Sequence, residues 1–337
     1  MTGYTLDFRT NSRANGLEFA RSVGEFTRTH IHEVAPTFSP LSWYRDQVRD
    51  FSDFPGFPNG VMSNGLISDV SSSGARVLLT GEGGDEWLGG EHTYYAEELA
   101  KCGYKALFSC LKSDVKEAGL TLTLKWFLRH GIFILLPNRL QNALRQYYRV
   151  THDVRSDFPY WLSSEMRTKF ISRRIKELDK RSEEVCAIGQ REIIVCLSNA
   201  FRAIALEDAE RRASRLGIEL RRPFNTQWMV DYAMATPERL RRRGYTNKYT
   251  HVNALEGLMP ENVLKRRTKA EFSVVFRNQL DQMGALLSWD IPVRSKGLLS
   301  CVGMERLYQE YQMKPAAGWP MWVLWTAFAS ELFFDEL

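Results

Sequence analysis

A parallel α/β sheet followed by a larger, mostly helical portion is the fold class this sequence predicts, and three observations predict it. Strand-like and helix-like segments alternate up to residue 80. The alternation ends in a compact apolar run, Arg76-Val77-Leu78-Leu79-Thr80. From about residue 94 onward, helical periodicity takes over.

In chain order, Tyr4-Thr5-Leu6-Asp7-Phe8 alternates apolar and polar side chains and predicts a short strand. Asn11 to Asn15 is turn-like, and Leu17, Ala20, Val23 and Phe26 predict an amphipathic helix over 15–29. His30 to Val34 reads as a second strand, and 41–50 as a helix. Prolines and glycines exclude regular structure over Phe54 to Gly60. A helix over 61–72 ends before Gly74, and the run 76–80 suits a strand buried on both faces. Helices follow over 94–112, 120–149, 163–182, 191–216, 247–258 and 321–334. The division is an incomplete α/β part, 1–93, and a helical part, 94–337, that packs onto it.

Composition bounds the partners. The chain has 337 residues, 44% of them hydrophobic and 25% charged, so it can bury a real core. Lys+Arg 45 against Asp+Glu 40 gives +5, an excess that fits an anionic ligand and is too small for a nucleic-acid surface. Cys102, Cys110, Cys186, Cys196 and Cys301 are odd in number and form no Cys-x-x-Cys pair, which argues for reduced thiols rather than a disulfide framework or zinc site. No run approaches the roughly 18 apolar residues of a membrane span. The best, Trp126 to Pro137, carries Arg129 and His130, and the N-terminus lacks a signal core. The expectation is a soluble cytoplasmic protein with neither a nucleic-acid nor a membrane partner.

The segment richest in chemistry is Thr80-Gly81-Glu82-Gly83-Gly84-Asp85-Glu86-Trp87-Leu88-Gly89-Gly90, directly after the apolar run. Ligands of parallel sheets bind beyond the carboxyl ends of the strands. Glycines allow close backbone approach there, and exposed amides bond anions. Glu82, Asp85 and Glu86 crowd three carboxylates that need a cation nearby, and magnesium is a natural one. A solvated acidic turn is the plain alternative.

This segment resembles the Ser/Thr-Gly-Glu/Asp-Gly-Gly/Ala-Asp-Glu stretch in the ATP-dependent synthetase domain of the asparagine synthetase family. The likeness continues at Gly217-Ile218-Glu219-Leu220-Arg221-Arg222-Pro223-Phe224, at Thr246-Asn247-Lys248-Tyr249, at Leu258 to Glu261, and at Arg267-Thr268-Lys269-Ala270-Glu271-Phe272-Ser273. It implies an adenine-nucleotide alpha-hydrolase-like sheet. It also implies a ligase that activates a carboxylate, aspartate or an analogue, as an acyl-adenylate with Mg-ATP, for attack by ammonia or another amine. By that resemblance Glu82 and Lys269 are catalytic. Leu6, Thr80, Gly81 and Lys248 bind ATP, and Asp85 meets magnesium through the pyrophosphate. Glu219 and Arg221 suit substrate contact and structural ion pairing equally. Arg211-Arg212 and Arg239 to Arg243 read as solvated faces.

The departures are as informative. The family's Ser-Gly-Gly-hydrophobic-Asp-Ser pyrophosphate loop belongs before Leu6, and neither it nor its strand is in this sequence. Ser71-Ser72-Ser73-Gly74 precedes a strand and so cannot replace it. The glutaminase domain is likewise missing. The chain therefore reads as an N-terminally truncated synthetase domain. As a ligase it reads either as cut short at an internal start or as completed by a separately encoded N-terminal or glutaminase chain; the other reading is a non-catalytic interaction module that keeps the fold. Asn225-Thr226 replaces Leu-Asp, and Glu210 replaces Asp.

Overall fold

The computed structural model describes residues 1–137, 139–141, 143–144, 159–183, 188–268, 270–282, 297–313 and 318–336. Strand β1 (Thr2–Leu6), helix α1 (Leu17–Thr27) and strand β2 (His30–Val34) open the chain. β1 and β2 pair in parallel, from Thr2 opposite His30 to Leu6 opposite Val34. The Asn15 side chain accepts a bond from Leu17 N at 3.1 Å and starts α1, which ends where Arg28 turns left-handed at φ 53. Gly24 lets α1 lie close against β2, because a Cβ there would fall 2.5 Å from Ile31 Cγ1.

Helix α2 (Leu41–Phe51), the single turn α3 (Pro58–Val61) and helix α4 (Asn64–Ser72) lead to strand β3 (Val77–Leu79). Proline at the first position of α3 costs no hydrogen bond, so the predicted irregular stretch ends one turn early. β3 pairs in parallel with β4 (Glu219–Arg221), Val77 opposite Glu219 and Leu79 opposite Arg221. β1–β2 and β3–β4 are separate two-stranded sheets. Helix α4 bridges them from one side: Ile67 and Val70 pack with Leu78 and Leu220 of one sheet and Tyr4 of the other.

The prediction that 76–80 is buried on both faces fails. Leu78 faces the α4 core, but Val77 is 39% exposed and Leu79 59%, so the other face is bare.

The helical part begins with α5 (Gly84–Leu88), α6 (Tyr94–Ala100) and α7 (Tyr104–Ala118). α8 (Leu120–Trp126) runs through a π-helical segment, Phe127–Ile132, into α9 (Phe133–Leu135). Next are α10 (Ser164–Glu183), α11 (Gln190–Leu197), α12 (Ala200–Ser214), α13 (Gln227–Ala235) and α14 (Glu238–Arg241). The antiparallel pair β5 (Arg242–Arg243) and β6 (Thr246–Asn247) precedes α15 (Tyr249–Ala254) and α16 (Glu261–Leu264). Helices α17 (Ser273–Gln282), α18 (Cys301–Met313) and α19 (Trp319–Glu336) close the chain. The largest apolar cluster lies here: Met321, Trp325 and Leu332 of α19 pack on Tyr44 and Val48 of α2 and on Leu280 and Leu307. Each such side chain stabilises the fold by about 1.5–3 kcal/mol.

The basic clusters are not solvated faces throughout. Arg212 is 8% exposed and bonds Asp208, Gly60 O, Ser63 and Asn64, while Arg241 is 4% exposed and pairs with Glu238. Both guanidiniums are used as buried cross-links, which their multiple donors permit.

Candidate functional site

β3 runs into Thr80, whose N–H bonds Arg221 O at 2.9 Å, so the β3–β4 ladder delivers the glycine turn to the carboxyl edge of the sheet. Gly83 sits at φ 97, and a Cβ there would fall 2.5 Å from Asn225 Oδ1, so the turn needs glycine on both counts. Trp87 of α5 anchors the turn from below. It is buried, donates from Nε1 to Asn225 Oδ1 at 3.1 Å, and carries the Arg202 guanidinium 4.8 Å over its ring. Arg202 also bonds Asn225 Oδ1. Asn225, where the resembled motif has Leu, is thus the pin that holds the turn.

Glu82 is gripped by Arg222, whose guanidinium also bonds Glu210. Only 10% of the Arg222 side chain is exposed. Burial works against its charge, yet the hydrogen bonds it donates to both carboxylates outweigh that and raise its pKa further. Glu219 and Arg221 pair with each other at 2.8 Å on the exposed face of β4, the ion-pair reading of the two.

Across from the turn, Lys248 Nζ lies 2.6 Å from Asp85 Oδ1. Lys248 has φ 56, unusual for a side chain with a Cβ, and starts α15. Its neighbour Asn247 accepts bonds from Gly90 N at 2.8 Å and from Lys248 N at 3.0 Å. The two motif blocks are therefore stitched together 157 residues apart in sequence.

Three adjoining cavities surround this edge. One of about 1010 Å³ is lined by Asp85, Lys248, Arg266, Arg267, Thr268 and Ala270. One of about 530 Å³ shares Arg266 and Ala270 with it and reaches Leu6, and one of about 1250 Å³ holds Thr80, Gly81 and Glu82. The first is strongly basic, Asp85 being its one lining carboxylate against Lys248, Lys265, Arg266 and Arg267. Lys269 lies outside the described residues; Thr268 and Ala270, on either side of it, both line the basic cavity.

Leu6 packs with Phe8 and Val275, so its core role is visible alongside its place at the cavity wall. Arg222 is the site residue that motif reading missed. The double arginine before Pro223 was its only signal, and its partner Glu82 is 140 residues away.

These features define an α/β protein with a glycine-rich acidic turn set beside a basic cavity. The chain belongs to the asparagine synthase family, whose profile matches residues 2–332. It is 27% identical over 219 residues to asparagine synthetase [glutamine-hydrolyzing] 1 of Bacillus subtilis (strain 168), covering 64% of this chain and 33% of that protein. It is also 30% identical over 103 residues to amidase chry2 of Gibberella zeae, covering 30% of this chain and 15% of that protein. The matches thus span a third or less of these relatives' own lengths.

Proposed function

We propose that this chain is the ATP-activating part of an asparagine synthetase-like ligase. The observation that carries the reading is the Asp85–Lys248 pair at the mouth of a basic cavity, with the glycine turn and the segment flanking Lys269 around it. A cavity with four cationic side chains suits a polyphosphate.

In the reaction we infer, a carboxylate oxygen of the substrate attacks the α-phosphorus of ATP and pyrophosphate leaves. Ammonia or another amine then attacks the acyl carbon, AMP departs, and the nitrogen loses a proton. Thr80 and Gly81 would border the base and ribose, with Leu6 against the adenine. Glu82, oriented by Arg222, would serve formation of the acyl-adenylate. Lys248 and Lys269 would hold the charge that develops on the phosphates.

No group of three or more His, Cys, Asp or Glu converges among the described residues, so a dedicated protein cage for a metal is not formed there. Asp85 alone still fits magnesium, which prefers one or two carboxylates and takes its other oxygens from phosphate and water. Bound magnesium would supply charge neutralisation on the leaving pyrophosphate.

The bare face of β3 and the split sheet support one further component, a separately encoded N-terminal or glutaminase chain. The same gap favours the alternative, an interaction module without turnover. Calorimetry separates them. We expect Mg-ATP to bind the chain in a magnesium-dependent way, and Lys248→Ala to weaken binding about tenfold or more. Absence of binding to the well-folded chain would leave only the interaction module.

A further inference from the structure

We propose that the α7–α8–α9 hairpin docks onto an anionic lipid surface. Its inner side is spoken for: Leu107 and Cys110 of α7 pack with Tyr94 and Tyr95 of α6, and Phe127 and Trp126 close the same cluster. Its outer side is not. On α7, Tyr104 is 64% exposed, Phe108 70% and Val115 36%. At 100° per residue these three fall within about 40° of one another on the helix wheel. After the turn at Gly119, Leu120 is 70% exposed, and Leu124 and Leu128 52% each, one helical turn apart. Two rows of large exposed apolar side chains, on consecutive helices that pack on each other, are not the scattered exposure of an ordinary surface.

The charge beside the stripe names the partner. Lys105, Lys112 and Lys116 lie about 60–100° round α7 from the apolar line, and Lys125 and Arg129 directly follow Leu124 and Leu128. All five are exposed, and none forms an ion pair with a described residue.

The two acidic residues of the hairpin bond other partners than these bases. Asp114 is buried, accepting bonds from the Tyr94 and Tyr95 hydroxyls, and Glu117 accepts from Tyr245 N at 3.2 Å. Apolar side chains flanked by bases that pair with no described residue are what an interfacial helix presents to headgroups and acyl chains. A protein partner matched to the apolar side chains alone would give no reason for the exposed bases beside them. The expectation of no membrane partner rested on the lack of a spanning segment; among the described residues no helix is long and apolar enough to cross, and a surface-lying hairpin need not be.

Vesicle flotation with the whole chain tests this. The chain should float with phosphatidylcholine vesicles containing phosphatidylserine and stay behind with phosphatidylcholine alone. About 0.5 M salt should release most of it, since screening removes the basic contribution. The exposed double change Phe108→Ser with Leu124→Ser should lower vesicle binding at least tenfold while leaving the circular dichroism melt in place. Lys105→Glu with Lys112→Glu should do the same by charge. Failure to float with acidic vesicles overturns the proposal. So does a concentration-dependent dimer, seen by light scattering, that the Phe108→Ser/Leu124→Ser chain no longer forms.

Discussion

Arg222 joins two carboxylates from different parts of the chain, Glu82 on the glycine turn and Glu210 on α12. Both carboxylates are about half exposed, so water screens the pair and its worth is modest. A double-mutant cycle of Arg222→Met and Glu82→Gln, read by urea unfolding, should give a coupling of about 0.5–1 kcal/mol. A coupling indistinguishable from zero would mean that Glu82 is held by the turn itself and not by the guanidinium. Glu82, Asp85 and Lys248 were legible in the sequence because each belongs to a short block of unusual composition. Arg222 was not. An ion pair that spans 140 residues leaves no local pattern beyond a doubled arginine. Arg212 and Arg241 were misread for a related reason: a charge run looks solvated until the chain folds carboxylates and carbonyls around it.

Helix α6 and the π-helical segment bury a histidine that the sequence did not single out. His92 is 5% exposed, stacks on Trp126 with ring centres 4.0 Å apart, and has no hydrogen-bond partner at Nε2. Burial, then the nearby Arg242 and His130 charges, push its pKa down to about 3. The unfolded chain takes up this proton below the ordinary histidine pKa of roughly 6.5, and the folded chain does not. Stability from this group is therefore intact above that value and is lost as pH falls toward the folded pKa, by at most about 1.4 kcal/mol per pH unit. Urea midpoints taken at falling pH should show this slope, and His92→Phe should flatten it relative to the parent. Equal slopes would place the proton elsewhere. Periodicity alone found the helices here but not their breaks. It merged α6 with α7 across Gly103, and α11 with α12 across Asn199, where the side-chain cap on Phe201 N restarts the helix. Each break spans only two or three residues, too few to interrupt an apolar period.

At the scale of the molecule, the parallel strands form two separate two-stranded sheets. β1 lines one side of the 1250 Å³ cavity and β3 the other, with Leu66, Ile67 and Val70 of α4 beneath. On β3, Arg76 O and Thr80 N bond β4, so by the alternation of a parallel ladder the backbone groups of Val77 and Leu79 point away from it, toward the cavity. The apolar composition of 76–80 announced a strand but not its place: β3 pairs along one edge only, with β4, and the described residues cover only one of its faces. Amide exchange should register the asymmetry. Val77 and Leu79 should exchange at least tenfold faster than Leu78 and Thr80, whose amides face β4. Leu79→Lys should leave unfolding free energy within about 0.5 kcal/mol, the usual range for an exposed site, and raise solubility by charging an open edge. A loss of about 2 kcal/mol or more would mean that Leu79 is covered by protein in solution. Slow exchange at Val77 and Leu79 would mean that the edge is paired. If the completing chain we propose is added and inserts a strand, the same two amides should become protected while those of β5 and β6, which do not line that cavity, keep their rates.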